Sequence, residues 1–372
     1  MIAIDGRFVT DELSGIGRYT LGLVSGLAEA NPPQRITILG GHEPMIRSAM
    51  CGCDTMDFVP AAERPLSLRG QCALPGILRR LRARVFHSPY LSAPLLARRI
   101  PSIITVHDLI PERHPEGLPR AWKVKAAPLW RAWCRAQYRR AIAIITVSDF
   151  SRRELIEHAK LTPDKVTRIY NGVHPAPAGD GVLFRRRFGI KDTVRIISYV
   201  GRHDPYKNIA SLVRAFERVH ESCSDAMLVI GGGLDPRYPE AREMAERGPA
   251  RDAILFTGYL DEPMRISLLR ASAVFAFPSR YEGFGLPPLE AMAAGVPVVA
   301  GNAASLPEVL GDAVTLVDPD DIEGLAGAIL DLLRDASLRA RRIEAGLNQA
   351  AKFTWQRCAE EHFALYEQVM QN

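Results

Sequence analysis

The chain has 372 residues, 47% of them hydrophobic and 24% charged, the balance of an ordinary globular protein with more length than one hydrophobic core usually fills. No apolar run approaches the ~20 residues of a membrane-spanning helix, and the composition excludes a disordered or collagen-like chain. The formal charge of +5 conceals an asymmetry: residues 1–182 carry 25 Lys+Arg against 16 Asp+Glu, a balance of +9, while the rest carry 22 against 26, or −4. Nucleic acid, anionic lipid and phosphorylated substrates all stay open as partners of the basic half.

From the N-terminus, Asp5 and Arg7 stand where a secretory leader needs an apolar core, so the expected compartment is the cytoplasm. Six short apolar runs then read as strands: Ile2–Asp5, Arg35–Leu39, Val85–Ser88, Ser102–His107, Ala143–Val147 and Val166–Tyr170. Residues 171–181 are rich in Gly and Pro and have no apolar period, the signature of a linker. Six further runs follow: Arg195–Val200, Ala226–Ile230, Ala253–Thr257, Ala273–Pro278, Val296–Ala300 and Ala313–Val317. Strands alternating with helical stretches predict an α/β protein of two doubly wound, Rossmann-like domains, 1–172 and 173–354. Small and charged residues gather after these strands in both halves, where open α/β sheets bind ligands, so two facing sites with a central cleft between them are expected. The six cysteines (Cys51, Cys53, Cys72, Cys134, Cys223 and Cys358) form neither a CxxC pair nor a zinc-like spacing, and free thiols are expected.

Three clusters carry chemistry. Ser14-Gly15-Ile16-Gly17-Arg18-Tyr19-Thr20 lies between the first strand and an apolar helical run, and Gly15 and Gly17 would let backbone N–H groups approach a phosphate. A third glycine and an acidic residue closing a second strand are both missing, which argues against a dinucleotide-binding dehydrogenase, and no GxxxxGK[S/T] occurs. Next, Gly201-Arg202-His203-Asp204-Pro205-Tyr206-Lys207-Asn208 follows a strand. A guanidinium and an ammonium five residues apart before a helix suit a diphosphate, one as a fork and one as a point charge. The third and most specific cluster is Arg280-Tyr281-Glu282-Gly283-Phe284-Gly285-Leu286-Pro287-Pro288-Leu289-Glu290. Its prolines suit a first helical turn and Gly295 suits the stop. Glu282 is then in a loop and Glu290 on a short helix, so two carboxylates can reach separate diols of one extended ligand.

The string GxGR-Y near the N-terminus, VGR-x4-KN, and above all EGFGLPPLEAMAAGVPVVA resemble the glycosyltransferases of family 4, whose E-x7-E motif matches Glu282 and Glu290. The resemblance spans essentially the whole chain, including His107-Asp108, Ile145–Leu155 and Asn171-Gly172-Val173. It implies the GT-B fold and a retaining, nucleotide-sugar-dependent hexosyltransferase. By that resemblance Arg202 and Lys207 neutralise the donor diphosphate, Glu282 contacts hydroxyls of the transferred sugar and Glu290 the ribose diol. Gly201, Gly283, Phe284, Gly285 and Leu286 would serve the sugar and phosphates, and Gly258 and Tyr259 would lie near the base. Gly15 and Gly17 would close over the donor, and His107 would sit beside the transferred sugar. No cofactor and no metal are implied, since the two cations can take a metal's role. The DxD look-alikes Asp318–Asp320 and Asp320-Asp321 read as a turn and a helix cap. Residues 355–372 resemble the terminal helix that packs back onto the first domain in this family.

The overall pattern, with His87–Tyr90 and His107–Leu109, looks most like bacterial mannosyltransferases that use GDP-mannose. UDP-glucose and UDP-N-acetylglucosamine users share the same motifs. Expected acceptors are a glycan or a polyprenyl-diphosphate-linked oligosaccharide in cell-surface polysaccharide synthesis. Residues 119–140 hold seven cations, no acid and three of the four tryptophans. On a helix Trp130, Trp133, Cys134 and Ala141 share one face and Arg131, Arg135 and Arg139 another, which suits either an anionic membrane surface or an amphipathic helix packed into its domain. The same surface lacks any nucleic-acid module, and a nucleic-acid-binding protein rests on charge alone. A non-catalytic nucleotide- or glycan-binding protein of the same fold is the remaining class; the intact set Arg202, Lys207, Glu282 and Glu290 argues against it.

Overall fold

Thirteen strands among the described residues assemble into two fully parallel sheets. They are β1 (Ile2–Asp5), β2 (Ile36–Leu39), β3 (Met56–Val59), β4 (Val85–Ser88), β5 (Ser102–Val106), β6 (Ala143–Thr146) and β7 (Val166–Arg168), then β8 (Arg195–Val200), β9 (Ala226–Gly231), β10 (Ile254–Gly258), β11 (Ser272–Phe277), β12 (Val298–Gly301) and β13 (Thr315–Val317). The structure, a computed structural model, describes residues 1–97, 99–113, 127–176 and 179–371. Its chain divides into two units. One contains described residues 1–113, 127–172 and 353–371, and the other residues 173–352.

The first sheet runs β3-β2-β1-β4-β5-β6-β7 and the second β10-β9-β8-β11-β12-β13. Both follow the doubly wound order in which the chain leaves the first strand in one direction and later returns to pair on its other edge. The switch points therefore lie between β1 and β4 in one unit and between β8 and β11 in the other. Central strands are continuous apolar runs because helices cover both faces of the sheet: Ile2, Ala3, Ile4, Ile103, Ile104, Ile196, Ile197, Phe275 and Phe277 are fully buried.

Strand β3 is absent from the sequence-based expectation of six strands. It is the edge of its sheet and only Met56 of its four residues is buried, so it shows no apolar run to read. Strand β12 begins at Val298 rather than Val296, because Pro297 has no N–H to donate to a ladder and serves only through its carbonyl, which accepts from Phe275 N at 2.9 Å.

The C-terminal helix, Trp355–Gln371, belongs to the first unit and packs on its first helix, Gly15–Ala30. Leu23, Val24 and Leu27 of that first helix are buried with the sheet residues Ile2 and Ile4 and with Trp355, Ala359 and Tyr366. Gly22 and Gly26 give it a flat face. A Cβ at Gly22 would lie 2.1 Å from the Trp355 indole, and one at Gly26 would lie 2.2 Å from the Trp355 carbonyl oxygen. Gly172, expected in a linker, is likewise packed, with a Cβ at 2.2 Å from Trp355 N. Gly26→Ala is expected to destabilise the first unit by about 1–3 kcal/mol, because its obstacle is backbone that cannot rotate away. Chemical unfolding of the purified variant measures this, and an unchanged midpoint would contradict the packing argument.

All six cysteines are free thiols, with Cys51 and Cys72 exposed and the other four buried. Among the described residues no helix is long and apolar enough to cross a membrane.

Candidate active site

In the second unit the functional side chains follow from the switch point. Strands β8 and β11 are neighbours in the sheet although about eighty residues separate them, so the loops after them meet. Lys207 ends a short 3-10 turn (Pro205–Lys207) after β8, and Glu282 lies in the loop after β11. Lys207 Nζ donates to Glu282 Oε1 at 2.7 Å, with side chains only 12% and 9% exposed. The ammonium also lies 5.3 Å from the Phe277 ring centroid and 5.2 Å from that of Tyr206, a cation–π setting that favours its charge. Ser305 Oγ donates to the Glu282 carbonyl at 2.9 Å and holds that loop from behind.

Arg202 comes from the same β8 loop but is not part of that pair. Its guanidinium forks onto Asp204, with Nε donating to Oδ2 at 2.8 Å and Nη2 to Oδ1 at 3.1 Å, and its side chain is 70% exposed. Tyr199 Oη donates to the Arg202 carbonyl at 2.8 Å and fixes the backbone of the turn. Asn208, in a left-handed conformation, donates from Nδ2 to the Pro319 carbonyl and so ties the turn to residues 318–321. There Asp318 accepts from Asp320 N at 2.9 Å and Asp321 from Gly324 N at 2.9 Å, a turn and a helix N-cap.

Glu290 sits on the helix Leu286–Ala293, which starts from Gly285 at φ +96°; a Cβ there would also meet Leu306 at 2.7 Å. Its Oε2 accepts from Arg265 Nη1 at 2.6 Å. Arg265 is itself buried and also holds Glu262, with Nη2 donating to Oε1 at 2.5 Å and Nε to Oε2 at 3.1 Å. Arg265 shows only its i,i+3 spacing from Glu262 in the sequence; its pairing with Glu290, 25 residues on, arises from the fold. Both acids of the E-x7-E motif are thus met by a cation through one oxygen. Each retains acceptor sites for hydroxyl groups. Gly283 and Phe284 are buried beside Glu282, Leu286 is half-buried, and Gly201 and Gly258 stand at the ends of β8 and β10. Tyr259, just past β10, is 43% exposed.

In the first unit, Gly15 opens the first helix, and its N-cap Ser14 accepts from Gly17 N at 3.2 Å through Oγ. The Gly17 amide, expected to approach a phosphate, therefore serves the cap. His107 follows β5 and is half-buried; its Nε2 lies 2.9 Å from the Pro89 carbonyl. A carbonyl only accepts, so the proton is on Nε2 and the neutral ring offers Nδ1 as an acceptor.

Burial holds three histidines of this unit below the ordinary imidazole range. His107 is pushed down to about 4 against the opposing pull of the Pro89 carbonyl, and His362 to about 4 against that of the Cys358 carbonyl. His87 is lowered well below 6.5, by burial first and then by His362 and His107. These rings stay neutral when folded, whereas the unfolded chain takes up their protons below about pH 6.5. Stability is therefore flat above pH 6.5 and falls as pH drops from 6.5 towards 4, by on the order of a few kcal/mol in all. Urea midpoints for the first unit measure it; equal midpoints at about pH 7.5 and about pH 5 would contradict it.

Of the two alternatives for the helix Ala127–Arg140, its aromatic face takes the packed one. Trp133 Nε1 donates to the Leu91 carbonyl at 2.7 Å, and Cys134, Gln137, Tyr138 and Ala141 are buried. That face packs into the domain, and Trp130 stacks on Tyr90 at 6.4 Å. The opposite face leaves Arg131, Arg135 and Arg139 exposed. Trp122 and the rest of 114–126 lie outside the described residues.

Two doubly wound parallel sheets of this order put the loops that bind ligands at the switch points, and a lysine–carboxylate pair occupies one of them. The family described as Glycosyltransferase Family 4 matches residues 13–177, and that described as Glycosyl transferases group 1 matches residues 183–349. Together these matches span most of the chain, and it belongs to the family 4 glycosyltransferases with the GT-B fold. It is 29% identical to an O-antigen chain mannosyltransferase B of Escherichia coli, over 95% of this chain and 96% of the relative. Among solved structures, sucrose-phosphate synthase from Thermosynechococcus elongatus superposes with a TM-score of 0.76 at 21% identity, over 100% of this chain and 99% of that one. HepE from Anabaena, in complex with UDP-glucose, superposes with a TM-score of 0.78 at 16% identity, over 99% of this chain and 100% of that one.

Proposed function

We propose that this glycosyltransferase is a retaining hexosyltransferase that moves mannose from GDP-mannose to a glycan or polyprenyl-diphosphate-linked acceptor in cell-surface polysaccharide synthesis. The observation that carries the reading is the Lys207–Glu282 pair at the β8/β11 switch point. Departure of a sugar from a nucleoside diphosphate leaves negative charge on the diphosphate, and a fixed ammonium stabilises it without a metal. Lys207 has three donors and meets Glu282 with one of them. The exposed guanidinium of Arg202 supplies a second cation. Glu282 then accepts from hydroxyls of the transferred sugar and Glu290 from the ribose diol. Nδ1 of neutral His107 accepts from a sugar hydroxyl and takes no nucleophilic part. Retention follows from attack on the face the diphosphate leaves, with that phosphate accepting the acceptor's proton.

Mannose is favoured by the Escherichia coli relative, whose name is that of a mannosyltransferase. The UDP-glucose held by HepE keeps a UDP-sugar as the second reading. Calorimetric titration with GDP, UDP and ADP separates the two. GDP is expected to bind tightest; preference for UDP would move the donor to UDP-glucose or UDP-N-acetylglucosamine, and no binding of any would refute the nucleotide-sugar reading. The anomeric proton coupling of the product tests retention.

The acceptor side of the reading places the first unit at the inner face of the cytoplasmic membrane. Its support is the +9 charge of residues 1–182 and the exposed Arg131, Arg135 and Arg139. Co-sedimentation with anionic but not neutral liposomes at low salt is expected, and absence of binding would remove the membrane from the proposal.

A further inference from the structure

A chain of buried polar groups runs through the first unit beside His107. His362 Nδ1 lies 2.7 Å from the Cys358 carbonyl, and His362 Nε2 lies 2.7 Å from Tyr19 Oη. Tyr19 Oη lies 3.0 Å from Thr105 Oγ1, which lies 2.8 Å from His87 Nε2, and His87 Nδ1 lies 2.6 Å from Tyr366 Oη. His87, Thr105, His362 and Tyr366 are fully buried and Tyr19 is 1% exposed.

The direction of every bond follows from one end. The Cys358 carbonyl only accepts, so Nδ1 of His362 carries that ring's proton and its Nε2 is bare. Tyr19 O–H therefore donates to His362, Thr105 O–H donates to Tyr19, His87 Nε2–H donates to Thr105, and Tyr366 O–H donates to His87 Nδ1. Each hydroxyl gives one proton and each neutral imidazole gives one and takes one. A buried network satisfied in this way is rigid, whereas one missing a member leaves uncompensated polar groups.

The network serves more than cohesion because of what Tyr19 touches. Its ring meets the His107 imidazole at right angles, with centroids 4.7 Å apart and planes at 81°. Thr105 is the next-to-last residue of β5, two positions before His107, so the phenol meets both the strand end and the loop that follows it. A phenylalanine at 19 would fill the same space; the hydroxyl is what joins the phenol to His362 on the C-terminal helix.

We propose that Tyr19 and His362 are positioning residues for His107: the C-terminal helix fixes the Tyr19 phenol, and the phenol fixes the imidazole. This rests on the reading of His107 as the group beside the transferred sugar. The groups facing the chain are Tyr19 from the first helix, His87 from β4, Thr105 from β5, His107 from the loop after it, and Cys358, His362 and Tyr366 from the C-terminal helix.

The test uses the full chain with 15N-labelled histidine and reads imidazole tautomers by long-range proton–nitrogen correlation. The wild type is expected to show His362 protonated on Nδ1, and His87 and His107 on Nε2. Tyr19→Phe is expected to shift the His107 resonances and to lower kcat of sugar transfer by about tenfold or more with little change in donor KM, as a small misplacement does. His362→Gln, which keeps an acceptor for Tyr19, is expected to recover most of the rate that His362→Leu loses. Tyr366→Phe breaks the far end of the chain; it is expected to lower thermal stability like Tyr19→Phe while leaving His107 and kcat near wild type. If Tyr19→Phe and Tyr366→Phe lose stability alike and neither moves the His107 resonances, the positioning role is overturned. A wild type inactive with every donor would overturn the reading of the site, and the resonance comparison would still decide the role of Tyr19.

Discussion

Lys207→Ala is expected to lower sugar transfer by about 100-fold or more, with the loss in kcat, because the ammonium matters most when charge develops on the departing diphosphate. Glu282→Ala is expected to do the same by removing the acceptor for sugar hydroxyls and releasing Lys207 from its position 2.7 Å away. Neither variant acts on chemistry alone. The pair is mostly buried, and deleting one member strands the other's charge, which costs about 3 kcal/mol or more of stability in the second unit. Rates are therefore to be measured at saturating donor and well below the unfolding temperature. Near-normal turnover in both purified variants would overturn the assigned roles. A loss confined to donor KM would show that Lys207 binds ground state and transition state equally.

The largest effect on stability is expected at Trp355→Ala, about 3–5 kcal/mol in the first unit. Trp355 is 5% exposed, and its indole fills the space over Gly22, while its backbone lies against Gly26 and Gly172. Most large-to-small changes are softened by neighbours that relax into the gap. Here the residue under the indole is Gly22, with no side chain to move. Tyr19 also packs on the indole, with ring centroids 6.2 Å apart, so the cavity opens next to the residue that meets His107. Denaturant unfolding followed separately in the two units measures the effect. A loss below about 1 kcal/mol, under the range for large-to-small core changes, would show that the gap collapses.

The sequence was most readable where function and fold are local. Ile2–Asp5, Val85–Ser88 and Arg195–Val200 were read to the residue, because buried parallel strands are short unbroken apolar runs. The loop position of Glu282, the helix start near Pro287 and the stop at Gly295 followed from backbone preferences of a few adjacent residues. Strand β3 was not readable, since an edge strand with one buried residue has no pattern distinct from a loop. Helical periodicity puts Trp130, Trp133 and Cys134 on one face, but it does not say whether such a face meets lipid or its own domain. The indole of Trp133 donating to Leu91 decides that for its position.

Partnership between distant residues was the other gap. Lys207 and Glu282 were each singled out, yet nothing in either motif says that they bond to each other; β8 and β11 becoming neighbours says it. Arg265 on Glu290, Trp355 on Gly22 and Gly26, and the chain from Cys358 to Tyr366 through Tyr19 arise in the same way. By itself the sequence determined which residue types stand at the strand ends, and with them the family, because turn chemistry and apolar runs depend on neighbours along the chain. Only the tertiary structure decided which charges are paired, which hydroxyls are satisfied and which glycines are filled, because strand order and helix packing bring together groups that are far apart in sequence.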